Sequence, residues 1–385
     1  MESFTFNTTP SIFFGAGKAA QFADIDKGQL GNRIIFITDS SLARIGLLDA
    51  TLDSLRQRGA QVQVFDRVVA DPPVAAVLDA AAQARTFGAT GVVGFGGGSS
   101  MDVAKLVAVL QDDAIKIDDI YGIDRIHAPR LPLALVPTTA GTGSEVTPIS
   151  IVTAGDGEKK GIVSSRLLPD FAVLDSRLTV GLPAAVTAAS GVDAMVHAIE
   201  AYASRNANNN PISRGIAIQA LKLLDGNIRR VVECGSDENA RSAMLLGSML
   251  AGQAFANSPV AAVHALAYPL GGIYGLSHGL SNALMLPHVL RFNIETHADV
   301  YAEIVSQAYP EIGTGSAADR AEKLITYLTG LLESIQLTAR LRDLDIPYSA
   351  CAELAAAAMK QSRLLVNNPR ALEESDALKI YLAAW

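Results

Sequence analysis

Along the first ~180 residues, short runs of β-branched and aliphatic residues alternate with stretches of helical spacing. This is the pattern of strands laid side by side with helices returning between them. RIIFITD (33–39) reads as a buried strand and SLARIGLLDATLDSLRQRG (41–59) as one amphipathic helix stopped at Gly59. VQVFDRVV (62–69) is a second strand, and PPVAAVLDAAAQARTFG (72–88) a helix opened by proline and closed by glycine. TGVVGFGGG (90–98) is a third strand running into glycines, with SSMDVAKLVAVL (99–110) as the helix after it. A further strand starts at Leu131 and leads into the polar loop PTTAGTGSEVT (137–147). Near Leu182–Pro183 the texture changes. Period-two alternation nearly vanishes and helical spacing dominates, as in GVDAMVHAIEAYA, RGIAIQALKLLDGNIRRVVE and RAEKLITYLTGLLESIQL. The expectation is a parallel α/β domain over residues 1–180 and an all-helical domain over 181–385, with no internal repeat.

Composition narrows the function. The chain has 385 residues, 49% of them hydrophobic and 18% charged, enough to bury a large core and to fill two or three domains of ~100–200 residues. Lys plus Arg is 31 against 39 Asp plus Glu, a net charge of −8, which argues against a nucleic acid or a membrane surface as partner. MESFTFNTTPSIFFG has neither the basic nor the apolar region of a signal peptide, and no apolar run reaches the ~18 residues of a membrane span, so a cytoplasmic protein is expected. Cys234 and Cys351 are too few for a disulfide framework or a thiolate metal site and read as unpaired core residues.

GVVGFGGGSSMDVAK (91–105) runs strand, glycine turn, helix. Gly96, Gly97 and Gly98 would let the backbone approach a phosphate, and Ser99 and Ser100 would cap the helix whose N-terminus favours an anion. The run is neither G-x-G-x-x-G nor a P-loop, and the bland alternative is an ordinary tight turn. Asp39, at the end of a strand, suits two adjacent ribose hydroxyls and would repel a 2′-phosphate; it suits a helix N-cap equally well. Thr138, Thr139, Thr142 and Ser144 offer hydroxyls either to a pyrophosphate or nicotinamide amide, or to their own turn.

Asp193 and His197 are four apart in a helical pattern and share one face. His264 and His278 sit among small and apolar residues, where an unpartnered imidazole is costly. One carboxylate and three imidazoles, out of six histidines in all, make a site for a divalent ion such as Fe²⁺ or Zn²⁺. Of the others, His127 and His297 read as loop or surface residues, and His288 as capping or packing.

GFGGGSSMDVAK, PTTAGTGSEVT, GVDAMVHAIEAY and HALAYPLGGIYGLSHGLSNALMLPHV, in this order and spacing, resemble the iron-containing (group III) alcohol dehydrogenases. The resemblance runs from SIFFGAG (11–17) to NPR (368–370). It implies a Rossmann-like dinucleotide-binding domain, an all-helical metal-binding domain and an active site in the cleft between them. It assigns the metal to Asp193, His197, His264 and His278, with His264, His278 and Tyr268 at the chemistry. It places NAD on Asp39, Gly97, Gly98, Ser99, Asp102, Thr138, Thr139, Thr142, Ile151 and Lys160. One departure stands out: many members carry a second histidine four residues after the third ligand, where this chain has Tyr268. A tyrosine titrates near ~10 rather than ~6.5. The implied activity is reversible hydride transfer between NAD(H) and a small alcohol or aldehyde, with Fe²⁺ or another divalent metal as Lewis acid, in a homodimer or larger homo-oligomer. Two sister enzymes share the scaffold, a zinc-dependent polyol dehydrogenase and a dehydroquinate synthase. The latter would need cations for a phosphorylated substrate, and residues 191–202 and 259–285 contain no Lys or Arg. A metal-dependent hydrolase would leave the glycine turn and Asp39 unexplained.

Overall fold

The computed structural model describes residues 3–112, 114–155, 158–337 and 340–385. The chain forms two compact units, one of Asn7–Gly181 and one of Leu182–Trp385 with the N-terminal residues up to Phe6.

The first unit is built on a six-stranded sheet. Its strands are β1 (Ser11–Phe14), β2 (Arg33–Ile37), β3 (Gln61–Phe65), β4 (Gly91–Gly96), β6 (Leu133–Pro137) and β9 (Phe171–Leu174), in the order β1-β9-β6-β4-β2-β3 and all parallel. Among the described residues five α-helices accompany it: α1 (Phe22–Asp26), α2 (Ser40–Arg44), α3 (Asp49–Gln57), α4 (Val74–Phe87) and α5 (Gly98–Val109). Both faces of the sheet are covered, which is why its strands read as continuous apolar runs. Ile35 and Ile37 enter one core with α4 and α5, whereas Ile34 and Phe36 enter the other with α1 and α3. From β2 the chain steps outward to β3 and then crosses back to β4, so the strand order reverses between β2 and β4. Open parallel sheets bind ligands at the carboxyl ends of strands flanking such a reversal. Asp39, Gly97–Gly98 and Thr138–Thr139 follow those ends of β2, β4 and β6. A smaller sheet has the order β5-β8-β7, in which the hairpin of β7 (Ile149–Thr153) and β8 (Lys159–Val163) is antiparallel and β5 (Gly122–Ile123) runs parallel to β8.

Four expectations are corrected. The single helix over 41–59 is two, α2 and α3, because Gly46 turns the chain with a φ of +69°. The strand over 33–39 stops at Ile37, and Asp39, which keeps an isolated bridge to Arg67, caps α2. Ser99 and Ser100 are not caps: α5 starts at Gly98 with Gly97 in the N-cap position and no side-chain cap, so both serines lie in the first turn. Cys351 is buried but Cys234, at the solvent end of a helix, is exposed; both are free.

Among its described residues the second unit has helices and no strand: α6 (Ala184–Ala203), α7 (Pro211–Glu233), α8 (Glu238–Asn257), α9 (Ala262–Tyr274), α10 (His278–Ala308), α11 (Ala317–Ser334), α12 (Ala350–Met359), α13 (Ser362–Leu365) and α14 (Glu374–Ala384). From Gly191 to Ala203, α6 is buried on every side, packed by α7, α8 and α10, and is the central helix. His297 breaks the regular backbone of α10 and is exposed, as is His127 in its loop. His288 is half-buried; burial first, and Arg291 second, push its imidazole down to about 4, so it is neutral near pH 7 and packs. Among the described residues no helix is long and apolar enough to cross a membrane.

Candidate functional sites: a glycine turn and, separately, a buried histidine cluster

In the first unit the structure brings the two polar loops together. A Cβ on Gly96 would lie 2.7 Å from Ser100 Oγ, and one on Gly98 would lie 2.9 Å from Thr142 Cγ2, so these two glycines are required by the protein's own packing. A Cβ on Gly97 would meet nothing nearer than Thr139 Cγ2 at 3.6 Å. The protein's own packing therefore does not demand a glycine at 97, which stands at the N-terminus of α5, where free backbone N–H groups favour a phosphate. Asp39 is the N-cap of α2, accepting from Ser41 N and Leu42 N at 2.9 and 3.1 Å through Oδ1. Oδ2 takes part in neither bond, so capping and a ribose contact are compatible in one side chain.

Beneath the turn lies a polar cluster that sequence reasoning only partly identified. Asp102 accepts from Ser144 Oγ (2.7 Å) and Ile151 N (2.9 Å). Asp102 and Ile151 thus bond to each other, fastening α5 to β7. The fully buried Lys105 donates to Ser144 Oγ (2.7 Å), Thr147 Oγ1 (3.2 Å) and Ile149 O (2.7 Å) and lies 3.5 Å from Asp102. Burial pushes the Asp102 carboxyl up and the Lys105 amine down, and it raises the carboxyl of buried Glu145 to about 7. Lys105 and Glu145 carry no periodicity signal that separates them from core positions. On β8, Lys160 pairs with Val152, and its ammonium stands 5.1 Å from the centre of the Tyr121 ring.

In the second unit, α6 supplies Asp193 and His197 one turn apart, α9 supplies His264 in its first turn, and α10 begins with His278. One ligand atom from each lies within 4.8 Å of every other. His264 Nε2 and His278 Nε2 are 3.7 and 3.5 Å from Asp193 Oδ1. The His197 ring stacks on His264 at 4.7 Å. Asp193, His197 and His264 are buried, and His278 is about one-third exposed. A buried carboxylate converging with three imidazoles, with no Lys or Arg in the surrounding segments, is a donor set that fits a divalent cation of the Fe²⁺ or Zn²⁺ type.

Three further residues shape this cluster and were not singled out from the sequence. Glu200, on the same face of α6 as Asp193 and His197, lies 2.6 Å from His264 Nδ1. Its signal was the i, i+4, i+7 spacing of 193, 197 and 200. Asn282, one turn after His278, donates to Asp193 Oδ1 at 2.6 Å and lies 3.3 Å from Nε2 of both His264 and His278. Phe255 of α8 stacks on His197 at 4.3 Å, and nothing in its local sequence announces that. Tyr268 is half-buried on α9, its ring 5.9 Å from that of His278.

Two family profiles match almost end to end: iron-containing alcohol dehydrogenase over residues 9–176, and the C-terminal part of the Fe-containing alcohol dehydrogenase family over 187–385. The chain belongs to the iron-containing alcohol dehydrogenase family. A long-chain-alcohol dehydrogenase 1 of Geobacillus thermodenitrificans is 39% identical over 98% of this chain and 95% of its own. A crystal structure of a 1,3-propanediol oxidoreductase superposes with a TM-score of 0.95 at 35% identity, covering all of both chains. The sulfoacetaldehyde reductase of Bifidobacterium kashiwanohense, solved with NAD⁺, superposes with a TM-score of 0.88 at 28% identity, covering 100% of this chain and 99% of the other. As a family member the protein is an NAD-dependent oxidoreductase, with a four-residue cluster suited to the family's metal.

Proposed function

We propose that this protein interconverts a small, uncharged primary alcohol and its aldehyde, with NAD(H) as the hydride partner. The observation that carries the reading is the convergence of Asp193, His197, His264 and His278 within 4.8 Å, in segments free of Lys and Arg. A divalent ion held by these four residues would supply Lewis-acid polarisation of the substrate oxygen, and NAD would supply the hydride acceptor. The protein's own groups do the positioning, which accounts for much of an enzyme's acceleration. The N–H groups at Gly97, Gly98 and Ser99 hold the pyrophosphate. Asp102 fixes the turn through Ser144 and Ile151. Thr138, Thr139 and Thr142 line the nicotinamide side, and Lys160 completes the cofactor contacts. His278 and Tyr268 orient the substrate, with the Tyr268 hydroxyl as its hydrogen-bond partner. Phe255, stacked on His197, shields the cluster from water. A cytoplasmic homo-oligomer belongs to the same reading, and light scattering measures its size.

The direct test is NADH formation or consumption at the reduced-nicotinamide band, with a panel of short alcohols and aldehydes, on protein reconstituted separately with Fe²⁺ and with Zn²⁺. No turnover with either metal and any of these substrates would sink the reading.

Two substitutions probe parts of it. Asp39→Gly should raise kcat/KM for NADP relative to NAD by about tenfold, ~1.4 kcal/mol. Glycine is a tolerable N-cap, costing a few tenths of a kcal/mol, so α2 should survive. An unchanged NADP/NAD ratio would remove Asp39 from the ribose site. Tyr268→Phe keeps the ring and loses the hydroxyl. It should lower kcat about 3–10-fold, the worth of one hydrogen bond of ~0.5–1.5 kcal/mol. Unaltered kinetics would leave Tyr268 a packing residue.

A further inference from the structure

Glu200 is 5% exposed and sits in the apolar centre of the helical unit, and none of the segments that carry the four ligands supplies it with a lysine or arginine. An isolated carboxylate in such a place is costly. Its compensation is three hydrogen bonds. Oε1 accepts from Val263 N at 2.6 Å. Oε2 accepts from Ala261 N at 3.0 Å and meets His264 Nδ1 at 2.6 Å. Ala261 and Val263 open α9, which has no side-chain cap of its own. One carboxylate from α6 therefore grips the start of α9 and the imidazole that α9 presents to the cluster. A carboxylate accepts only, so the His264 nitrogen facing it must carry the proton.

We infer that Glu200 is a positioning residue of the metal centre, fixing His264 as the Nδ1–H tautomer and leaving Nε2 as its donor atom toward the ion. The inference rests on the metal reading above. His264 Nε2 already lies 3.7 Å from Asp193 Oδ1, on the opposite side of the ring from Glu200. The charge behind the ring also strengthens Nε2 as a donor. Outer carboxylates of this kind are worth about 10–100-fold in metal affinity. A plain helix cap could sit at Ala261 itself, so capping alone does not require a charge on α6 that also reaches the ring.

The test compares wild type with Glu200→Gln. Chelator-treated protein of each kind is titrated with Zn²⁺ against a chromophoric chelator, the Co²⁺-loaded forms are compared by visible spectroscopy, and melting is followed with and without metal. The glutamine variant should bind Zn²⁺ about 10–100-fold more weakly, with a shifted Co²⁺ spectrum and a smaller rise in melting temperature on adding metal. Affinity within about twofold of wild type and an unaltered spectrum overturn the inference, because loss of a cap alone lowers the melting of both forms equally. Should the variant fail to fold, ¹⁵N-histidine NMR of Zn²⁺-loaded wild type decides. A protected Nδ1–H on His264 supports the assignment, and an Nε2–H tautomer overturns it. Wild type that takes up neither Zn²⁺ nor Co²⁺ would instead sink the metal reading itself.

Discussion

Replacing His264 by alanine is expected to lower kcat/KM by about 10³-fold or more, equivalent to ~4 kcal/mol of transition-state stabilisation at ~1.4 kcal/mol per decade. His264 is 2% exposed and lies at the middle of the cluster, stacked on His197 at 4.7 Å and facing His278 at 5.3 Å. Alanine removes one of four donors and also leaves the buried Glu200 carboxylate without its imidazole partner. A buried carboxylate that keeps only its two backbone N–H partners is destabilised, so metal content, melting and activity should fall together. Elemental analysis after dialysis, alongside the NADH assay, checks this. Substantial turnover by the variant, or by wild type stripped of metal, would remove the cluster from the chemistry.

Gly279→Ala is expected to have the next largest effect, although residue 279 offers no donor atom. A Cβ there would stand 2.2 Å from the carbonyl oxygen of Ala189 and 2.6 Å from its carbon. Both atoms are backbone of α6, the helix that carries Asp193 and His197, and Gly279 directly follows His278 at the start of α10. No rotamer relieves the contact, so the two helices must separate by about 1 Å, a misplacement that costs about 10²-fold in rate. Overpacking should also lower stability by about 1–3 kcal/mol. Gly191→Ala is the control: its Cβ would meet only the flexible tips of Met244 and Ile228, at 2.7 and 2.9 Å. Activity and metal affinity should drop in Gly279→Ala and largely survive in Gly191→Ala. Wild-type values in the former would mean that the α6–α10 spacing does not set the cluster.

The motifs carried more of the site than the periodicity did. Asp193 and His197 were readable as a pair because helical spacing is local, and His264 and His278 stood out because imidazoles are costly among apolar neighbours. Asp39 was readable only as two alternatives, and the structure shows the cap while leaving Oδ2 outside it. The serines after the glycines suit a cap by identity, yet Gly97 occupies that position. Glu200, Asn282 and Phe255 are not legible locally, because the contacts that tie them to His264, Asp193 and His197 span 64, 89 and 58 residues of chain.

By itself, the order of residues determined the strand–helix alternation of the first half and the switch to helices near 180, since each depends on spacing within a turn or a strand, and it offered four candidate donors as a helical Asp193–His197 pair and two imidazoles among apolar residues. Tertiary structure decided which strands flank the reversal between β2 and β4, that Ser144 and Ile151 hold Asp102, and that one buried glutamate grips both a helix start and an imidazole. Those facts depend on distances between segments remote in the chain, which are set by how sheets and helices pack rather than by any local preference.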